Sequence, residues 1–483
     1  MAKALVWMCA LGFAASALGC GSSEKDSATG ETAATIPLEG PWTLGVAIPA
    51  DEQAAGDADA GLYALANNAY VSCGVPMQLL GLVGGISPNA SKLPLPGRDG
   101  EAATMPYAFN LVVNEDGAKL ATQNCFTCHA EEFNGELVLG LGNTTANYTR
   151  DLTSFSNVPA AALLPPAEAK AFLKFQQRFA ALAPHIRMST VGSNPADLVA
   201  IVLASHRDPD TLAWIDEAQF DLTDLPHVPM DVPPWWRMGK KNAMFATGLG
   251  RGDHRRHMLA SSTLCTDNLE EAAAIDAYAN DINAFIRSLK APAYPFAVDT
   301  KLAAHGENVF IRNCAGCHGL YGDAPSYPNL AFPVDVVGTD AAMASGTGGY
   351  REQLIDWYND SFYGGVGTLV AFDGYVAPPL DGVWATAPFL HNGSVPTLEA
   401  VLNSKLRPTH WMRRNLDSRD FDEDALGWPY DAVTGADDPS LTDPQRPFVY
   451  DTTRLGHSNA GHTFGDALSD DDRRAVLEYL KTL

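Results

Sequence analysis

Two short stretches, Asn124-Cys125-Phe126-Thr127-Cys128-His129 and Asn313-Cys314-Ala315-Gly316-Cys317-His318, decide how the rest of this chain is read. Each contains Cys-x-x-Cys-His. With 8 cysteines and 12 histidines in 483 residues, chance supplies about 0.003 such pentapeptides per chain, so a pair of them is a chemical signature. The spacing suits covalent haem attachment. Two thiols add to the vinyl groups of one haem as thioethers, and the imidazole of the next residue sits beneath the iron. A zinc site also uses Cys-x-x-Cys, but it needs four ligands per metal. The reading is two covalently bound haem c groups, with Cys125, Cys128, Cys314 and Cys317 as attachment points and His129 and His318 as proximal ligands.

Working outward, each motif lies in a helical setting. Leu302, His305, Gly306, Val309 and Phe310 form a largely apolar stripe at three-to-four spacing that leads into Cys314. Ser469 and three aspartates cap a closing helix over Ser469 to Leu483. For the first motif the closing helix is expected over Asp267 to Lys290, ending at Ala291-Pro292-Ala293-Tyr294-Pro295. Between them lie a helix near Ala167 to Leu182 and a Trp/Arg-rich loop from Pro233-Pro234-Trp235-Trp236-Arg237 to Arg256. The expected fold is mainly α: two cytochrome c-like helical domains with long loop-rich insertions and little β structure. The expected boundaries are 1–19 signal peptide, 20–36 lipoprotein tether, 37–295 N-terminal extension plus first haem c domain, and 296–483 second haem c domain.

The start of the chain reads as an export signal, with Lys3 before an apolar run from Ala4 to Leu18 that is too short to span a bilayer. Ala17-Leu18-Gly19-Cys20 resembles a lipobox, which would place a lipid on Cys20, and the Ser/Gly/Ala/Thr/Glu-rich stretch to Thr35 suits a flexible tether. The expected location is therefore periplasmic, outer-membrane lipoprotein or secreted, with membrane contact only through that lipid. The 57 acidic and 32 basic residues, a formal charge of −25, oppose nucleic-acid binding and favour a small basic redox donor or acceptor. Solubility alone also explains such a charge.

Cys73 and Cys265 remain once the motifs, Cys20 and the signal's Cys9 are set aside. In an oxidising compartment they pair as a disulfide or stay as two buried thiols; the sequence leaves both open. For the sixth position of the second haem, His462 stands out in Asn459-Ala460-Gly461-His462-Thr463-Phe464-Gly465, with His457, His391, Met343 and Met412 as competitors. For the first haem, His185, His206, His227, His254 and His257 are available but none has so pointed a context, and an open iron is expected.

The stretch from Pro379 to Pro396, Pro-Leu-Asp-Gly-Val-Trp-Ala-Thr-Ala-Pro-Phe-Leu-His-Asn-Gly-Ser-Val-Pro, is the most specific of several that resemble the di-haem cytochrome c peroxidase superfamily, and within it the rubber-oxygenase-like branch. Ala66 to Pro76, Trp235-Trp236 with Gly248 to Arg256, and Ser458 to Phe464 support it. The resemblance implies a catalytic first haem, open or weakly ligated, and a low-spin second haem that relays electrons. It implies that His462 ligates the second iron and that Trp235-Trp236 supply an aromatic residue between the haems, although packing alone also accounts for these tryptophans. Phe245 is placed as a shaper of the first distal pocket, and His391 beside the second haem as an anchor of its loop. Superfamily relatives often hold calcium between domains; no dedicated carboxylate loop for calcium stands out here.

Three functions follow as expectations. One is an oxygenase that uses oxygen at the first haem to cleave an apolar substrate such as polyisoprene. Another is a peroxidase that reduces hydrogen peroxide, with a distal Glu or His over the first iron. The last is a non-enzymatic electron-transfer lipoprotein with both irons six-coordinate.

Overall fold

The computed structural model describes residues 34–483 apart from 69–71, 81–92, 158, 224 and 347–348. The expected signal peptide, Cys20 and nearly all of the tether lie outside the described residues. Thr35–Leu483 forms one compact unit.

The mainly α expectation is corrected. Helices of all kinds hold 37% and strands 13% of the described residues, and the strands build five small sheets of two or three members. The chain carries 42 glycines and 32 prolines, which end helices early and supply turns. Phe109–Val113 pairs antiparallel with Lys119–Gln123, which runs directly into the first motif. Ala130–Phe133 leaves His129 and pairs with Glu136–Leu139 across Asn134-Gly135, both residues in the left-handed region at φ 51° and 86°. That is the backbone an Asn-Gly hairpin turn favours. The first motif is thus held between two β-hairpins. Val46–Ala47, Leu330–Pro333 and Gly374–Val376 form another sheet.

Two helix pairs nonetheless frame the motifs. Thr300–Asn313, capped by the Asp299 carboxylate, crosses Asp470–Leu480, capped by the Ser469 hydroxyl. They meet at Gly306, where an added Cβ would lie 1.8 Å from the Ala475 carbonyl oxygen. Ala58–Asn67, capped by Asp57, crosses Ala279–Ser288 in the same manner, with Gly61 against the Asp281 carbonyl oxygen at 2.0 Å. The long helix expected over Asp267 to Lys290 is two helices, Leu269–Asp276 and Ala279–Ser288. The chain turns at Ala277-Tyr278, where the Ala277 N–H closes the first helix on the Ala273 and Ile275 carbonyls. The insertion helix runs over Pro166–Leu182, as its periodicity predicts.

Cys73 and Cys265 form a disulfide with a Cα–Cα distance of 5.5 Å. It ties the segment after Ala58–Asn67 to the short helix Ala260–Leu264, beside a core that includes Phe179, Leu182, Val202, Leu203 and Leu259. A second core, with Phe310, Val383, Trp384, Val476 and Leu480, supports the other motif.

Candidate functional site

Each motif is a single helical turn. The His129 N–H donates to the Cys125 carbonyl at 3.0 Å, and the His318 N–H to the Cys314 carbonyl at 3.0 Å. One turn of helix brings the cysteine and histidine side chains of a motif to one side. Cys128, Cys314 and Cys317 are free thiols. Both motifs open on one interior cavity of about 680 Å³, whose lining includes Cys125, Cys128, His129, Cys314, Cys317, His318 and His462. Burial pushes the Cys314 and Cys317 thiols up to about 12 and the His129 imidazole down to about 4.

The two histidines meet matching acceptors. His318 Nδ1 lies 2.8 Å from the Pro378 carbonyl oxygen. His129 Nδ1 faces the Pro233 carbonyl, in a looser geometry that leaves it short of a full hydrogen bond. Such a carbonyl holds the proton on Nδ1 and leaves Nε2 free to ligate. Each acceptor is the first residue of a Pro-Pro pair, and a tight turn follows each pair at one constant sequence offset. Met244 and Gly250 exchange backbone hydrogen bonds around Phe245 (φ 66°) and Gly248 (φ 66°); Phe389 and Val395 do so around Leu390 (φ 67°) and Gly393 (φ 69°). The two halves of the site are built from one repeated module.

Trp235 stacks on His129, with ring centroids 4.7 Å apart at 22°. Trp236 Nε1 and Arg237 Nε both donate to the Asp381 carbonyl, at 2.8 and 3.0 Å. Asp381 lies three residues beyond Pro378, so the short helix Trp235–Lys240 connects the surroundings of the two motif histidines. Of the pair, Trp235 lines the cavity and Trp236 packs in the second core.

His462 stands opposite His318, with ring centroids 6.1 Å apart. A metal at about 2 Å from one nitrogen of each imidazole requires rings roughly 6 Å apart. The loop is held firmly. His462 takes φ 45°, its N–H donates to the Val337 carbonyl at 2.8 Å, and Arg407 donates to the carbonyls of Asn459, Gly461 and His462. Its Nδ1 is buried with no partner beyond its own backbone, and burial lowers the imidazole to about 4, so the ring is neutral and has a lone pair to give.

Of the competitors, His457 has both nitrogens engaged, with Ser189 Oγ and the Leu455 carbonyl. Met412 sits in a separate small core, and Met343 is absent from the cavity lining. His391 does line the cavity, stacked on Tyr375 at 4.0 Å with Nε2 buried and unpartnered.

Around the first motif the lining is largely apolar: Phe155, Phe175, Phe179, Leu182, Leu203 and Phe245. Of the five histidines available there, His257 alone reaches the cavity. Its Nε2 contacts the Arg251 carbonyl at 2.9 Å, and its ring stacks on Tyr358. His185 and His206 lie in a different pocket, His227 is exposed, and His254 is buried outside the cavity lining. Among the described residues no glutamate lines the cavity; its acids are Asp197 and Asp231. Sequence reasoning gave no role to Pro233, Pro378, Arg407 or Lys241. The repeated Pro-Pro pairs were a usable signal for the first two.

The donor set suits haem: a pair of cysteines on each motif turn, neutral imidazoles facing a shared cavity, and an orphaned His462 nitrogen. Among the described residues there is no cluster of three or more His, Cys, Asp or Glu side chains placed to hold a bare metal ion.

Comparison with known proteins agrees. Residues 374–412 match a family described as RoxA-like, cytochrome c-like. The chain is 34% identical over 264 residues to the uncharacterized protein y4iJ of Sinorhizobium fredii (strain NBRC 101917 / NGR234), a match covering 40% of this chain and 41% of that protein. It is 30% identical over 314 residues to the uncharacterized protein y4iM of the same organism, covering 55% of this chain and 68% of that protein. The match thus spans less than half of the first relative and about two thirds of the second. The RoxA-like segment brings with it haem c binding and an oxidoreductase kind of function.

Proposed function

We propose, from the premise that this chain belongs to one family with the y4iM protein and carries a RoxA-like, cytochrome c-like segment, that it is an exported di-haem oxidoreductase whose first haem activates oxygen to cleave an apolar substrate. The observation that carries this reading is the asymmetry of the cavity. An imidazole faces His318 from across the cavity, while aromatic and aliphatic side chains surround the first motif.

In this reading Cys125 and Cys128 anchor one haem and Cys314 and Cys317 the other, with His129 and His318 as proximal ligands and His462 as sixth ligand of the second. Bound haem supplies redox-active iron, low-spin where two imidazoles ligate it and reactive where one position is free. The protein residues do the rest. Pro233 and Pro378 hold the imidazoles in the ligating tautomer. Phe245, Phe179 and Leu203 exclude water and favour an unsaturated hydrocarbon. Trp235, against His129, and Trp236, bonded to Asp381, offer a short connected route between the two sites. Residues 37–295 and 296–483 each carry one haem, with the boundary at Pro292 and Pro295. Export to the periplasm or outer membrane, a lipid on Cys20 and a small basic electron partner complete the proposal; calcium has no support from the residues described.

His257 gives the peroxidase reading its foothold, because an imidazole at the cavity wall near Phe245 could move protons for peroxide. The test is reduction of the purified holoprotein under carbon monoxide, followed by oxygen, peroxide and polyisoprene assays. We expect one haem to bind carbon monoxide and oxygen to be consumed with an unsaturated hydrocarbon. Peroxide turnover that is lost in His257→Ala would favour the peroxidase, and two haems inert to carbon monoxide would leave an electron carrier.

A further inference from the structure

The cavity between the motifs is lined by two cations with few partners. Lys241 lines it, and its ammonium has no ion pair or hydrogen bond among the described residues. The neighbouring Lys240, by contrast, bonds both carboxylate oxygens of Asp381 at 2.7 and 2.9 Å. Arg237 also lines the cavity and is 8% exposed. Its Nε goes to the Asp381 carbonyl and its Nη2 reaches Thr386 Oγ1 only at 3.5 Å, while no partner is assigned to Nη1.

The surrounding acids balance this charge only in part. The Asp381 carboxylate acts on Arg237 but is shared with Lys240, which bonds both of its oxygens. Asp231 acts on Arg237 from the cavity wall, but burial drives its carboxyl far above the usual carboxylate range. The two cations also repel each other, and burial lowers Lys241 to about 8 and Arg237 to about 10. A buried guanidinium bonded only to a carbonyl and, weakly, to a hydroxyl, beside a half-buried ammonium with no partner among the described residues, favours an anion in the cavity.

The chemistry of the proposed cofactor identifies that anion. A haem held by its two vinyl-derived thioethers at a Cys-x-x-Cys edge directs its two carboxylate arms away from that edge. The short helix Trp235–Lys240, just before Lys241, stacks Trp235 on His129, and its Trp236 and Arg237 bond the Asp381 carbonyl, three residues beyond the Pro378 acceptor of His318. It therefore borders both motifs.

We propose that Arg237 and Lys241 form the anion site for the haem propionate carboxylates, with Arg237 serving the second haem. The inference rests on the di-haem reading above. Arginine offers a planar fork that matches a carboxylate, and lysine a point charge.

The test is an optical redox titration of the intact holoprotein, with haem counted in every sample. The variants are Arg237→Leu, Arg237→Lys and Lys241→Met, and Lys240→Met removes the same charge one position away. A cation beside a haem favours the reduced form, so its loss must lower the midpoint potential. Lys241→Met and Arg237→Leu are each expected to shift a haem's reduction equilibrium about three- to tenfold, tenfold being about 59 mV for one electron. Arg237→Lys should recover most of that, and Lys240→Met should shift it less than twofold.

Two intact haems with unchanged potentials, or an equal shift from Lys240→Met, would overturn the assignment. A potential that depends on added acetate or phosphate in the wild type alone would assign the site to a free anion and overturn it too. Fewer than two haems per chain in the wild type would sink the di-haem reading itself and take this inference with it. Lys241 is half-buried, so its variant keeps the test open if Arg237→Leu does not fold.

Discussion

Arg407→Ala should free the loop that carries His462. The guanidinium donates to five carbonyls: Ala400 at 3.0 Å, Val401 at 3.1 Å, Asn459 at 2.7 Å, Gly461 at 2.6 Å and His462 at 3.1 Å. Two of these acceptors lie on the helix Leu398–Leu402 and three on the His462 loop, so one side chain clamps the two together. A hydrogen bond from a charged donor contributes about 1.5–3 kcal/mol. Water replaces part of this at a half-buried site, which leaves about 3–5 kcal/mol for the set. The clamp works against a left-handed backbone at His462, φ 45°, which costs about 1–2 kcal/mol for a residue with a Cβ. Losing about 3 kcal/mol raises the population of the released loop roughly a hundredfold. The assay is the low-spin fraction in the electron paramagnetic resonance spectrum of the oxidised protein, with added imidazole as rescue. A low-spin fraction that falls and returns with imidazole is expected, and Arg407→Lys should lie between the two, because it keeps the charge and loses the fork. An unchanged low-spin fraction and unchanged amide exchange at His462 would refute the reasoning.

Three other outcomes follow. Gly461→Ala should mimic Arg407→Ala, since a Cβ there meets the Gly338 carbonyl carbon at 2.1 Å on a backbone at φ 74°; the same spectrum checks it, and an unaltered low-spin signal would contradict it. Cys265→Ser opens a covalent link across a sequence separation of 192 and should cost about 3–5 kcal/mol in denaturant melts, whereas a melt that matches the wild type would mean the bond adds nothing to stability. Trp235→Leu removes the ring stacked on His129 and should slow electron transfer between the haems at least tenfold in flash reduction, with haem content unchanged; an unaltered rate would assign the tryptophan to packing alone.

The motifs, the helices at Thr300–Asn313, Pro166–Leu182 and Asp470–Leu480, and His462 beside the second motif were legible in the sequence, because each rests on local spacing or a cap. The β structure was not. Ala130–Phe133 and Glu136–Leu139 are four residues each and too short for alternation to stand out, although Asn134-Gly135 between them signalled a hairpin. The break at Ala277-Tyr278 was hidden because apolar spacing continues across it and neither residue is a helix breaker. Ala58–Asn67, the partner of Ala279–Ser288, was missed because a β-hairpin separates it from Cys125, and only the crossing at Gly61 reveals the kinship with Gly306. The disulfide was undecidable, since sequence carries no distance between Cys73 and Cys265. The roles of Arg407 and Lys241 depend on which long-range neighbours each meets or lacks, which no local pattern encodes.

The most direct test of the account is a haem count by pyridine haemochrome on the purified chain, combined with low-temperature electron paramagnetic resonance of the oxidised wild type and His462→Ala. The account predicts two covalent haems per chain, one high-spin and one low-spin, with only the low-spin signal lost in the variant. A single haem, or two low-spin signals that His462→Ala leaves intact, would contradict it.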